Sequence, residues 1–407
     1  MPFANIITKL SRIFCNKLWR KNCGIEILII ACIANFFIAS SFYLLMPTIP
    51  IYLSEQLHVP HSEIGIVLSS YVIALLLIRP FSGYMVDVYP RKLLFLFGAG
   101  MFVLTYVGYY FAASVAFFFI LRFIHGLFWG LTAVSANTVA IDIIPSERRA
   151  EGIGYFGVNM NIAMAIAPFL AVKIYDHFDF NVLVSAALFM GTLAVIAIGL
   201  IRVPKRPKME QKPPISLDRF ILVKALPIFF NQLFFAFGYG TLVAYAVLYG
   251  KNIGINNSGV FFLFIALGIV LTRITSGKLV DRGYLHQVML FSTSSLVLGF
   301  FCFSVFHTIY AFCFAAFILG IGYGTLFPSL QIMYVNMAPA SQRGTANSTY
   351  LTGFDLGIGI GMLLGAYLED HFGFENMYLI TAGLCFVALL LYWFHSKKVY
   401  EQNKLIS

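Results

Sequence analysis

Apolar residues run along this chain in twelve blocks. Their limits are 25–47, 63–86, 93–113, 115–144, 152–174, 181–202, 220–249, 257–280, 287–306, 308–337, 345–368 and 375–395. A helix rises 1.5 Å per residue, so about 20 apolar residues cross a hydrocarbon core roughly 30 Å thick. Each block is therefore predicted to be a membrane-spanning helix. One long polar stretch, VPKRPKMEQKPPISLDR, parts the sixth block from the seventh. Its prolines and mixed charges read as a linker. The expected organisation is a tail at 1–24, a six-helix half at 25–202, a linker at 203–219, a second six-helix half at 220–395 and a tail at 396–407. The expected fold class is an all-α membrane protein of 12 transmembrane helices.

Composition narrows the function classes. Of 407 residues, 60% are hydrophobic and 11% charged, whereas a soluble domain carries about a quarter charged residues. So few charges cannot cover the surface of a soluble enzyme, a disordered chain or a nucleic-acid-binding module. The six cysteines form no CxxC pair, so neither a disulfide framework nor a zinc site is suggested. His58-x-x-His61-x-Glu63 is too loosely spaced for a metal site, and no metal or other cofactor is expected.

The net charge of +10 is sorted by position. With both termini in the cytoplasm, the inner connections carry Arg91 and Lys92, Arg148 and Arg149, the linker cluster, Lys278 and Arg282, and Arg343. The N-terminal tail adds Lys9, Arg12, Lys17, Arg20 and Lys21. The outer connections hold Lys173 and Lys251 against seven acids: Glu55, Glu63, Asp176, Asp179, Glu369, Asp370 and Glu375. Lysine and arginine bias sets topology, and it predicts a cytoplasmic-membrane protein with both termini inside. The first apolar block exceeds a signal-peptide core, so it is read as a retained span. The N-x-S/T triplets at Asn256 and Asn347 carry no information, the second lying on the predicted inner side.

The chain also repeats itself. At an offset of 194 residues the halves align without a gap over about 100 positions. RPFSGYMVD, from Arg79, returns as RITSGKLVD, from Arg273. Gly126 and Gly130 return as Gly320 and Gly324, and Pro145 and Arg149 as Pro339 and Arg343. Six spans per half give both halves one orientation. Such pseudo-symmetric halves place a substrate site between them near the midplane and alternate access to it by rocking.

At these residues a family resemblance becomes specific. Gly83-x-x-x-Asp87-x-x-x-Arg91-Lys92 resembles the signature loop of the major facilitator superfamily, with Val88 and Pro90 departing from it. A degenerate copy stands at Gly277, Asp281 and Arg282. Arg122-x-x-x-Gly126-x-x-x-Gly130 resembles a second family motif. Gly154, Ala163, Ala167, Pro168 and Ala171 resemble the antiporter motif of the 12-span drug:proton antiporters, with alanine at three usual glycine positions. The resemblance implies a gate in which Asp87, Arg91 and Asp142 form a charge network. Leu285 and His286 replace Arg91 and Lys92 in the second copy, so that gate is expected to be weaker.

Two charges lie deep in spans. Arg122 is about seven residues inside the fourth, roughly 10 Å along the axis, and its repeat position is Ala316. A charge at the bilayer centre costs about 2.5–3.5 kcal/mol even on insertion scales, so it should face a cavity or a partner; snorkelling to the outer headgroups is the alternative. Asp355 lies mid-way along the eleventh, in TGFDLGIGIGMLLG. Burial favours the neutral form of a carboxylate, which lets such a group exchange protons near neutral pH. Asp355 is the candidate proton-coupling residue with Arg122. It could instead neutralise a cationic substrate or make a structural hydrogen bond. Candidate cavity residues are Asn35, Tyr43, His125, Trp129, Asn159, Gln232, Tyr239 and Tyr323. The last occupies the repeat position of Trp129, so the two are expected to face each other. Amides and aromatics at such positions equally serve packing.

The chain holds no GxxxxGK[ST] loop, so a nucleotide-driven pump has no support. The expected function is a proton-coupled transporter, resembling drug:proton antiporters, that exports a small amphipathic or hydrophobic compound. Its expected partners are that compound, protons and the bilayer, with no nucleic acid, and a monomer is expected. An uptake symporter, a mover of lipid-linked metabolites and a non-transporting sensor are the alternatives. A membrane enzyme would need a nucleophile with its base, and Arg122 and Asp355 supply neither.

Overall fold

Apolar blocks of this length leave the backbone no partner but itself, so each becomes a helix. The structure, a computed structural model, describes residues 24–46, 48–59, 61–112, 114–203, 220–255 and 258–405. The basic residues of the N-terminal tail, nearly all of the linker, Pro47 and Asn256 lie outside the described residues, as does the side chain of Pro168.

The described elements are α1 (Gly24–Leu45), α2 (Thr48–Glu55), α3 (His61–Val88), α4 (Arg91–Tyr109), α5 (Val115–Ile143), α6 (Arg149–His177) and α7 (Phe180–Leu200). After the linker come α8 (Leu226–Asn252), α9 (Val260–Asp281), α10 (Leu285–Val305), α11 (Ile309–Met337), α12 (Arg343–Leu391) and α13 (Lys397–Asn403). Among the described residues there is no strand. Helix α12 is broken at Gly373, whose φ of 77° is open to glycine and strained for other residues. The break makes two spans of it, at the predicted place, so the protein has twelve transmembrane helices.

Ten helices among the described residues are long and apolar enough to cross a membrane by length and composition. Helix α6 and the first part of α12 fall short of that measure. Both are helical where the sequence places spans five and eleven. They carry Asn159 and Asn161 in one, and Thr349, Thr352 and Asp355 in the other, polar groups that lower the mean hydropathy.

The helices pack into two units. The first runs to Pro145 and resumes at Tyr155 as far as the linker; the second holds Ser146–Gly154 and everything after the linker. In the first unit α1 packs on α7, α3 on α5, and α4 on both α5 and α7. In the second α8 packs on α12, α9 on α11, and α10 on both α11 and α12. The two units therefore share one packing plan.

The repeat reaches single hydrogen bonds. Ser114 Oγ accepts from Phe117 N at 3.3 Å and caps α5. Its equivalent, Thr308 Oγ1, accepts from Ala311 N at 3.3 Å and caps α11. Such caps satisfy amide groups that a helix start leaves bare. Close helix approach repeats as well. A methyl group added at Gly126 would run into the Tyr71 carbonyl, and one at Gly320 into the equivalent Ile265 carbonyl.

Candidate functional site

Helix α5 carries Arg122, His125 and Trp129 on one face, as their spacing requires. Arg122 is 1% exposed. Its guanidinium carbon lies 4.6 Å from the ring centre of Tyr71 on α3, and Nη2 is 3.5 Å from Met46 Sδ. Its Nε has no hydrogen-bond partner. The side chain therefore lies inside the first unit and does not snorkel. Rings surround it. His125 packs on Phe102 at 4.0 Å and edge-on to Tyr106 at 4.9 Å, and its Nδ1 is 3.4 Å from the Tyr109 hydroxyl. Trp129 stacks on Phe42 at 4.8 Å, and Phe42 stacks on Tyr71 at 5.2 Å.

The signature loop forms a buried ion cluster in the same unit. Arg91 is paired with Asp142 and donates to Asp87 at 3.4 Å and to the Val86 carbonyl at 3.3 Å. Lys92 Nζ donates to the Gly199 carbonyl at 2.7 Å. Gly83 is buried one turn before Asp87.

The second copy works differently. Asp281 accepts from the backbone N–H of Ala150 at 2.9 Å and of Glu151 at 3.0 Å. A carboxylate at a helix start is favoured both by the bare amides and by the helix dipole. Gly277 makes room, since a Cβ there would stand 2.6 Å from Glu151 Cα. Glu151 is 4% exposed, receives a hydrogen bond from Arg148 Nε at 2.6 Å and has Lys278 at 4.0 Å. Arg282 is exposed. Leu285 is buried where the first copy has Arg91. The C-terminal helix fills the remaining place. His286 Nε2 lies 2.8 Å from Glu401, and Asn336, the equivalent of Asp142, donates to the Tyr400 hydroxyl at 3.1 Å.

Asp355 is half-buried on α12. Gly357 and Gly361 of that helix face α8, against Ala236 and the Phe237 carbonyl, and Gly353 faces Phe229. At 100° per residue, Asp355 lies on the opposite face from this glycine row. Gln232 Nε2 donates to the Tyr350 carbonyl at 2.8 Å, and its Oε1 is buried without a partner. Tyr239 is half-buried and stands edge-on to Tyr323 at 5.0 Å.

Three residues expected at a cavity are packed within their own units. His125 and Trp129 belong to the ring cluster of the first unit. Tyr323 is 1% exposed and donates to the Phe235 carbonyl at 3.1 Å in the second. Asn35 and Tyr43 are half-buried on α1. Asn159 donates to the Tyr155 carbonyl at 3.0 Å and bonds the Cys32 thiol, one turn from Asn35. Ala163, Ala167 and Ala171 form a fully buried row on α6, and Gly154 lies against the Arg273 carbonyl. Sequence reasoning missed Tyr71, Phe42 and Glu151. For Glu151 the signal was an acid three residues after Arg148 at a helix start.

The Major Facilitator Superfamily profile matches residues 31–287 and 265–405. The chain belongs to the major facilitator superfamily. It is an integral membrane transporter, and not an enzyme. Among curated relatives of this transporter, the Staphylopine export protein of Staphylococcus aureus is 24% identical over 83% of this chain and 88% of its own. Multidrug resistance protein MdtG of Escherichia coli is 27% identical over 92% and 94%. The fold is shared with the human organic anion transporter MFSD10 (TETRAN), at a TM-score of 0.74 and 15% identity over 90% of this chain and 98% of that one. It is shared too with the proton:xylose symporter XylE, at 0.71 and 14% over 91% and 95%.

Proposed function

We propose that this transporter is proton-coupled, works by alternating access and exports a small amphipathic compound by antiport. It would sit in the cytoplasmic membrane as a monomer with both termini inside, need no cofactor and draw on the proton gradient. The observation that carries the reading is Asp355, a half-buried acid in mid-span on the helix face turned away from α8. A carboxylate so placed can hold and release a proton. Arg122 supplies a fixed positive charge in the other unit. Export is supported by the buried alanine row on α6, which follows the antiporter motif, and by relatives named as export and multidrug resistance proteins.

The test is flux in liposomes with an imposed pH gradient. Wild-type protein should move its cargo against the proton gradient, and Asp355→Asn should stop that movement while leaving exchange of cargo across equal pH intact. Gradient-driven flux in Asp355→Asn would remove Asp355 from the coupling role.

A further inference from the structure

Among the described residues the deep charges are one-sided. Arg79 lies nine residues from the end of α3 and Arg273 eight residues from the end of α9, roughly 12–14 Å along the axis. They head the two copies of one repeated segment. With Arg122 they make three cations at mid-span depth, against the one acid Asp355 among the described residues.

Arg273 has the clearest surroundings. Its Nε is buried with no hydrogen-bond partner. Tyr239 of α8 and Tyr350 of α12 are its electrostatic neighbours, and among the described residues no carboxylate pairs with it. Tyr239 also opens a ring cluster, with Phe327 at 5.7 Å and Phe354 at 6.0 Å. Arg122 repeats the pattern inside the first unit, with a ring face and a thioether as neighbours. A guanidinium deep in a span is normally compensated by an acid. Here rings, hydroxyls and a sulfur stand in the acid's place. Such a field disfavours a cation and attracts an anion. The planar guanidinium fork suits a carboxylate, phosphate or sulfonate, and rings beside it suit an apolar body.

We propose that the transported compound is an amphipathic organic anion, and that Arg273 binds its anionic group while the Tyr239 ring cluster receives its apolar body. This rests on the transporter reading and narrows its cargo. Asp355 is then left to the proton.

The test uses the purified full-length protein. An extract of cells that express it is split on an anion exchanger, and each fraction is titrated into the protein while its melting temperature is followed. The retained fraction should raise the melting temperature and the unretained one should not. Arg273→Gln should weaken the response to the retained fraction by about thirtyfold, and Arg273→Lys by less. A shift from the unretained fraction alone, no shift from either, or an unchanged titration in Arg273→Gln overturns the proposal. If Arg273→Gln fails to fold, Arg273→Lys decides, because lysine keeps the charge and loses the fork; unchanged affinity there overturns it too. The two readings fail separately. A pH-driven flux of neutral or cationic compounds alone would keep the transporter and remove the anion. Anion binding without pH-driven flux would keep the anion and remove proton coupling.

Discussion

Arg91, in the first turn of α4, pairs with Asp142, in the last turn of α5. Both side chains are nearly or fully buried, and the pair ties together the ends of two helices that pack along their length. Removing one member of such a buried pair takes from the other its ion partner, at a cost of up to about 3–5 kcal/mol. Arg91→Gln should therefore lower the melting temperature sharply. Asp87 lies farther from Arg91, at 3.4 Å. Asp87→Asn should keep the fold and slow transport, as a gate residue would. Thermal unfolding and liposome flux on the same preparations check both outcomes, and a normal flux in Asp87→Asn counts against the gate.

Asp281 acts on backbone amides where Arg91 acts on acids. Asp281→Ala removes the acceptor of two N–H groups at the start of α6 and should cost about 1 kcal/mol. Asp281→Asn keeps an oxygen and should cost less. Amide hydrogen exchange at Ala150 and Glu151 reads the cap directly. Protection unchanged in Asp281→Ala would show that the carboxylate does not hold these amides.

Glycine spacing gives a third outcome, with its own control. The obstacle to a methyl group at Gly126 is the Tyr71 carbonyl, and at Gly320 the Ile265 carbonyl. Backbone on a packed helix cannot step aside as a side-chain tip can. Gly126→Ala and Gly320→Ala should each cost about 1–3 kcal/mol. Gly100 in α4 has nothing within 4 Å of the added methyl. Gly100→Ala should be neutral or stabilise by up to about 1 kcal/mol. Melting temperatures of the three variants in one detergent settle the order.

Helix positions and the repeat were legible because apolar length and spacing carry them. The break near Gly373 falls in the gap between the eleventh and twelfth apolar blocks, and the Arg91–Asp142 pair lies at span ends, which fix depth; the caps Ser114 and Thr308 were not read from the sequence. Facing is harder. Arg273 was visible in RITSGKLVD, yet nothing in that string says that it feels the charge distribution of Tyr239 and Tyr350. Glu151 hid among Glu147, Arg148 and Arg149, a charge run that reads as a solvated loop. His125, Trp129 and Tyr323 suit a cavity and a core equally well by residue type. Only the packing of α1, α3, α4 and α5 puts the first two among rings, and that of α8 and α11 the third.

The ring face under Arg122 gives the last outcome. A cation over a desolvated ring is stabilised by up to about 2 kcal/mol. Tyr71→Phe keeps that face, and Tyr71→Leu removes it. The leucine variant should therefore be less stable than the phenylalanine one by about 0.5–2 kcal/mol. The difference should shrink by that amount in an Arg122→Gln background, because no cation remains to feel the ring and only the lost stack on Phe42 is left. This four-variant cycle isolates the pair from the other contacts of Tyr71. If the difference is unchanged in Arg122→Gln, the ring acts by packing alone, and Arg122 must draw its stability inside the first unit from elsewhere.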